Sequence, residues 1–169
     1  PIRGAMFDRY YANMCLHYAQ EPDLVLRECA RVLKPGGIAG FSMWGRSEES
    51  PLMTIVPDVL DEFGLEKKDP CMRSNFHLGE DDAALRSRFF AQGFSKCTVV
   101  NFPIAMECFD PAAYVELIID GAASTKKTVD GFAPEDQRRV REEVAKRARK
   151  ILNEGGAMAL SVLVAVAQK

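Results

Sequence analysis

The chain has 169 residues, 47% of them hydrophobic and 27% charged, and a net charge of −2. That is apolar enough for a compact core and too ordinary in charge for wholesale disorder. No basic block is present, which argues against nucleic acid as a partner, and no apolar run reaches the roughly 18 residues of a membrane span.

Pro1 opens the sequence. A catalytic N-terminal proline needs a long apolar strand directly after it, and Arg3 and Gly4 interrupt the run, so a start inside a longer protein is the simpler expectation. Nothing reads as a signal peptide. From Met6 to Met14 the residues are short, aromatic-rich and strand-like. Pro22 then opens a helix in which Leu24, Val25, Leu26, Cys29, Val32 and Leu33 recur at helical spacing. Lys34-Pro35-Gly36-Gly37 stops it, because proline cannot continue a helix and glycine supplies a left-handed exit. Ile38 to Trp44 is a second strand.

Strand, helix and strand with short connections make a βαβ unit, whose strands run parallel with a right-handed crossover. Such a pair calls for further strands beside it. Downstream, the pattern predicts a helix over Pro51–Phe63, an exposed connection over Gly64–Phe76 and a helix over Gly79–Gln92. A strand follows over Phe94–Ala105. Helices are expected over Asp110–Asp120 and Pro134–Asn153, joined by a mobile Gly121–Gly131 link rich in Gly, Ala, Ser and Thr. Ala157–Ala167 is the last strand. Cys15, Cys29, Cys71, Cys97 and Cys108 form no CxxC pair, and His17 and His77 are the only histidines. A disulfide framework or metal site is therefore not expected, and a reducing, cytoplasmic setting is.

Phe7-Asp8, His17, Pro22-Asp23, Glu28, Arg31-Val32-Leu33-Lys34-Pro35-Gly36-Gly37 and Ser42-Met43-Trp44 together resemble the class I S-adenosylmethionine-dependent methyltransferases of the type 11 group. The resemblance makes this stretch the fourth strand, the next helix and the fifth strand of that fold. Phe94–Ala105 and Ala157–Ala167 then take the places of the sixth strand and the antiparallel seventh. The fold class implied is α/β, a partial Rossmann-like methyltransferase sheet spanning residues 1–169, with a helical lid inserted over 106–156. The resemblance also implies a glycine-rich cofactor turn after the first strand and an acidic residue closing the second, a logic shared by nucleotide-binding sheets. No GxGxG stands in this sequence. Those elements are expected upstream of Pro1.

By the same resemblance the cofactor, S-adenosyl-L-methionine, meets the end of the fourth strand at Asn13, Met14, Cys15 and Leu16, although Met14 and Leu16 also suit a core. His17, just past that end, suits a general base, since imidazole titrates near neutrality. Its alternative is a packing role, because methyl transfer to a good nucleophile needs mainly proximity and alignment. Substrate-binding candidates are Trp44, Phe76, His77, Phe109, Tyr114 and Ile118, each weighed against ordinary burial. The arginines and lysines of 138–150 alternate with Glu142 and Glu143 and read as a solvated helix face. The expected function is methyl transfer to oxygen, nitrogen or carbon of a small organic acceptor. The alternative is an incomplete methyltransferase-like module for interaction, with self-association as a homodimer through a free sheet edge.

Overall fold

The computed structural model describes residues 2–65, 75–106 and 110–169. The chain divides into two compact units, one made of Pro1–Arg46, Ser74–Pro103 and Ser161–Lys169, the other of Ser47–Arg73 and Ile104–Leu160. Among the described residues, no helix is long and apolar enough to cross a membrane.

The first unit is built on the βαβ start. Strand β1 (Phe7–Asn13) leads through a short turn to helix α1 (Pro22–Val32), which begins on Pro22 as its first-turn residue. Strand β2 (Leu33–Trp44) follows at once and pairs parallel with β1. Its start is earlier than the expected Ile38. The register jumps from Phe7↔Leu33 to Arg9↔Ile38, so Lys34–Gly37 are thrown out of the ladder opposite Asp8. Pro35 has no N–H to give a ladder, and Gly36 takes φ +76°, open to glycine and costly for other residues. The Lys34 ammonium reaches the Asp8 carboxylate at 3.0 Å.

Helix α3 (Asp82–Ala91) is shorter than Gly79–Gln92 because Asp81 caps it, accepting from the backbone N–H groups of Ala83 and Ala84. The helix before it in the chain, α2 (Pro51–Glu62), belongs to the second unit. Strands β3 (Lys96–Asn101) and β6 (Val162–Gln168) complete a four-stranded sheet in the order β1-β2-β6-β3, with β6 antiparallel to both neighbours. This is the α/β arrangement expected for the late strands of the methyltransferase sheet.

Both late strands are interrupted. The stretch 94–105 breaks at Phe102-Pro103, resuming as β4 (Ile104–Met106), and 157–167 breaks at Ser161, after β5 (Met158–Leu160). Pro103 cannot donate to a ladder. The Ser161 carbonyl accepts from Gly45 N–H at 2.7 Å and its hydroxyl donates to Asn101 Oδ1 at 3.0 Å. β4 and β5 pair with each other, antiparallel, within the second unit.

One face of the larger sheet carries the core. Ala39, Phe41 and Met43 of β2 and Leu163, Ala165 and Ala167 of β6 meet Leu26, Cys29 and Ala30 of α1 and Leu85 and Phe89 of α3. Phe89 packs edge-on against both Phe41 and Phe94, at ring separations of 5.4 and 5.5 Å. On the other face Tyr11, Val100 and Val166 are exposed, Tyr11 at 80%. A Cβ on Gly40 would lie 3.2 Å from the Tyr11 ring, so the ring lies over that glycine.

The second unit is helical apart from the β4–β5 pair. Leu52, Ile55, Val56, Val59 and Leu60 line the buried side of α2. Helix α4 (Pro111–Val115), capped by Asp110, gives way to a π turn over Glu116–Asp120 rather than continuing regularly. The stretch expected as a mobile link contains helix α5 (Ala123–Asp130). Thr125 and Val129, one turn apart, are its buried residues, and Lys126 pairs with Asp130 at 2.7 Å. Helix α6 (Pro134–Asn153) has the expected bounds. It buries Val140, Val144 and Ala148, while Arg141 grips Asp120 through two bonds and Arg147 pairs with Glu62 and Glu143.

Candidate functional site

Ligands of open α/β sheets bind beyond the carboxyl ends of the parallel strands, which here are Asn13 and Trp44. The two ends are tied together. Met14 N–H donates to both the carbonyl and the hydroxyl oxygen of Ser42, and the Ser42 hydroxyl donates to Asn13 Oδ1. Met14 sits at φ +51°, a left-handed conformation that a methionine adopts only when its surroundings hold it there. The turn leaves Asn13 and Cys15 exposed, with the Cys15 thiol donating to Asn13 O, while Leu16 is buried in the core at 1% exposure.

A short 3₁₀ turn, Leu16–Tyr18, follows and buries His17 to 3% exposure. Neither ring nitrogen of His17 has a hydrogen-bond partner among the described residues. Its ring stacks on Trp44 at 5.5 Å and 29°, and Tyr18 lies 4.2 Å away on the chain. Burial, reinforced by the nearby His77, pushes its pKa from 6.5 down to about 4. A neutral imidazole whose nitrogens have no partner among the described residues is able to accept a hydrogen bond at physiological pH.

Trp44 carries a second ring, Phe76, at 4.9 Å and 50°. Phe76 is delivered by the turn 75–79, in which Gly79 N–H donates to Phe76 O and Leu78 enters the core. The turn seats on the end of β2 because residue 79 has no side chain. A Cβ there would fall 2.2 Å from Trp44 O and 2.4 Å from Gly45 O. Of the candidates, His17, Trp44 and Phe76 therefore come together, with His77 exposed beside them. Phe109 lies outside the described residues, as do Cys71, Cys108 and most of the connection expected over Gly64–Phe76. Tyr114 and Ile118 are buried inside the helical unit, where the Tyr114 hydroxyl donates to the Leu52 carbonyl at 3.0 Å. Sequence reasoning missed Gly79, and the signal for it, a glycine three residues after an aromatic, is too common to be diagnostic.

The family model described as "Methyltransferase domain" matches residues 1–41. No curated protein matches the chain. Among solved structures, the whole chain superposes on phosphoethanolamine N-methyltransferase 2 from Haemonchus contortus, in complex with phosphomonomethylethanolamine and S-adenosylhomocysteine, at a TM-score of 0.50 and 14% identity. It superposes equally on a putative methyltransferase from Bacillus halodurans (TM-score 0.51, 14% identity) and on the YcgJ protein from Bacillus subtilis (TM-score 0.50, 16% identity). The chain spans 35% of the first of these structures and 67% and 66% of the other two. It therefore has the methyltransferase fold over part of that fold's length.

Proposed function

We propose that this chain forms the acceptor side of an S-adenosylmethionine-dependent methyltransferase acting on a small organic molecule. The observation that carries the reading is the β1-α1-β2 unit: the family match over residues 1–41 covers most of it, and β1 exits into a bonded, strained turn beside a histidine that has no hydrogen-bond partner among the described residues. The residues present fit one edge of a cofactor site. Asn13 and Cys15 stand exposed on the left-handed turn at the strand end, whereas the chain offers no glycine-rich turn for close backbone approach. The cofactor, when bound, supplies a sulfonium-activated methyl group. Transfer of that methyl to the acceptor atom would leave the cofactor sulfur as a neutral thioether. His17 takes the proton released by an oxygen or nitrogen acceptor, Trp44 orients the acceptor, and the buried rings keep water out. Tyr114 and Ile118 hold the interior of the helical unit together.

Titration of S-adenosylmethionine into the 169-residue chain tests this. No saturation is expected in the micromolar range, whereas the same residues within a polypeptide that also carries the glycine-rich turn saturate. Micromolar binding by the chain alone overturns the division of labour. Failure of the longer polypeptide to bind overturns the cofactor assignment.

The exposed β1 edge and Tyr11 favour a second reading, an interaction module that self-associates through that edge. Sedimentation across a concentration series separates the two readings: a stable dimer of the longer, cofactor-binding polypeptide through β1 supports the second.

A further inference from the structure

Ser42 is the single polar residue of Ile38–Trp44, the regular part of β2, and it stands opposite Asn13, the last residue of β1. Its hydroxyl has two partners. The oxygen accepts the Met14 N–H at 3.0 Å, and the proton goes to Asn13 Oδ1. A serine hydroxyl has one proton to give, so the carboxamide offers its oxygen there. Reversing the amide would set Nδ2 against Oγ and leave the hydroxyl proton without an acceptor among the described residues. With Oδ1 taken by Ser42, the planar amide turns Nδ2 away from that hydroxyl, on a side chain exposed to solvent. The same hydroxyl holds the adjoining main chain, where Met14 sits at φ +51°. A non-glycine residue in that region costs free energy, and such residues gather where ligands are gripped.

We propose that Ser42 is a positioning residue for ligand binding at the strand exits: its hydroxyl turns the Asn13 carboxamide so that Nδ2 meets an acceptor atom of the ligand, and it keeps Met14 in the left-handed turn beside it. Asn13 touches the ligand, and Ser42 acts only through Asn13 and Met14. The polarity of this edge follows from the bond. It donates an N–H, so the atom it meets is a carboxylate, hydroxyl or ring-nitrogen acceptor rather than an ammonium. Identifying that ligand as S-adenosylmethionine rests on the proposed methyltransferase reading; the orientation of the amide does not.

Heteronuclear NMR of the 169-residue chain reads the orientation without any ligand. The Asn13 side-chain amide pair and the Met14 amide are expected to keep their native signals in Ser42→Thr, which retains the hydroxyl. In Ser42→Val, of the same shape as threonine but without the hydroxyl, the Asn13 pair moves toward the position of a free carboxamide and Met14 amide exchange rises about fivefold. Ser42→Ala carries the same comparison if the valine variant does not fold. In a polypeptide that also carries the glycine-rich turn, S-adenosylmethionine is expected to bind about fivefold more weakly with Ser42→Val and at native strength with Ser42→Thr. Asn13→Asp still accepts from Ser42 but has no N–H to give, so it binds about tenfold or more weakly while Met14 exchange stays native. Unchanged Asn13 and Met14 signals in Ser42→Val overturn the proposal, as does native-strength binding by that variant or by Asn13→Asp. If the native longer polypeptide fails to bind, the cofactor reading falls, and the NMR comparison still decides whether Ser42 orients the amide.

Discussion

Burial keeps the His17 imidazole neutral to about pH 4, while in the unfolded chain it takes up a proton near its ordinary 6.5. Between those two values the unfolded state binds the extra proton, so acidification favours unfolding. Above 6.5 both states are neutral and the full stability is present; it falls as pH drops from 6.5 to 4 and this group changes it no further below that. The loss from this residue is on the order of 3 kcal/mol. Denaturant titrations at pH 7 and pH 4.5 are expected to show the decline in the native chain and a much smaller one in His17→Phe; equal declines in both would remove His17 as the cause. Met14 and Cys29 illustrate two other single-residue effects. The Met14 conformation comes from the clasp with Ser42, and burial pushes the Cys29 thiol up to about 12, which leaves it a packing residue without nucleophilic character.

Among the elements, the 75–79 turn has the tightest fit. A methyl group on residue 79 would collide with two carbonyl oxygens, so Gly79→Ala is expected to lift the turn, cost about 1–3 kcal/mol and change Trp44 emission as Phe76 leaves it. An unchanged melting temperature and spectrum would show that the turn is not seated as described. Asp81→Ala, two residues on, removes the acceptor for Ala83 and Ala84 N–H and is expected to cost about 1 kcal/mol by thermal denaturation, without altering Trp44 emission.

The βαβ start was legible in the sequence because its signals are local: Pro22 opens α1, apolar residues recur at helical spacing, and Pro35-Gly36 forces an exit. The breaks at Pro103 and Ser161 were harder to read. The run Ala157–Ala167 is apolar throughout, and only bonds to Gly45 and Asn101, distant in sequence, decide that Ser161 interrupts it. Helix α5 was hidden for the same reason, since its small and polar residues favour a link on their own and are held helical by burial of Thr125 and Val129. At the site, His17 and Trp44 could be located by their motif. Phe76 could not be brought to them, because the contact depends on the docking of Gly79.

For the whole molecule, the informative surface is the sheet face opposite the core. Tyr11, Val100 and Val166 are exposed there, and β1 is an edge strand with Met6 and Phe7 also exposed. Such an edge invites pairing with another strand. The 169-residue chain is expected to self-associate with rising concentration, and Tyr11→Lys to shift the mass average in sedimentation toward monomer, since a charge on an edge strand opposes pairing. Identical profiles for the two proteins would assign the association to another surface.

The position of β6 in the sheet bears on how the molecule is made. It lies between β2 and β3, yet every other described element precedes it along the chain. During synthesis β3 leaves the ribosome with no sheet neighbour to pair with, and β2 has a partner on one side only. The first unit therefore closes only when β6 enters between β2 and β3. A folding route of that kind leaves apolar strands unpaired until β6 has been made and places a premium on chaperone cover during that interval.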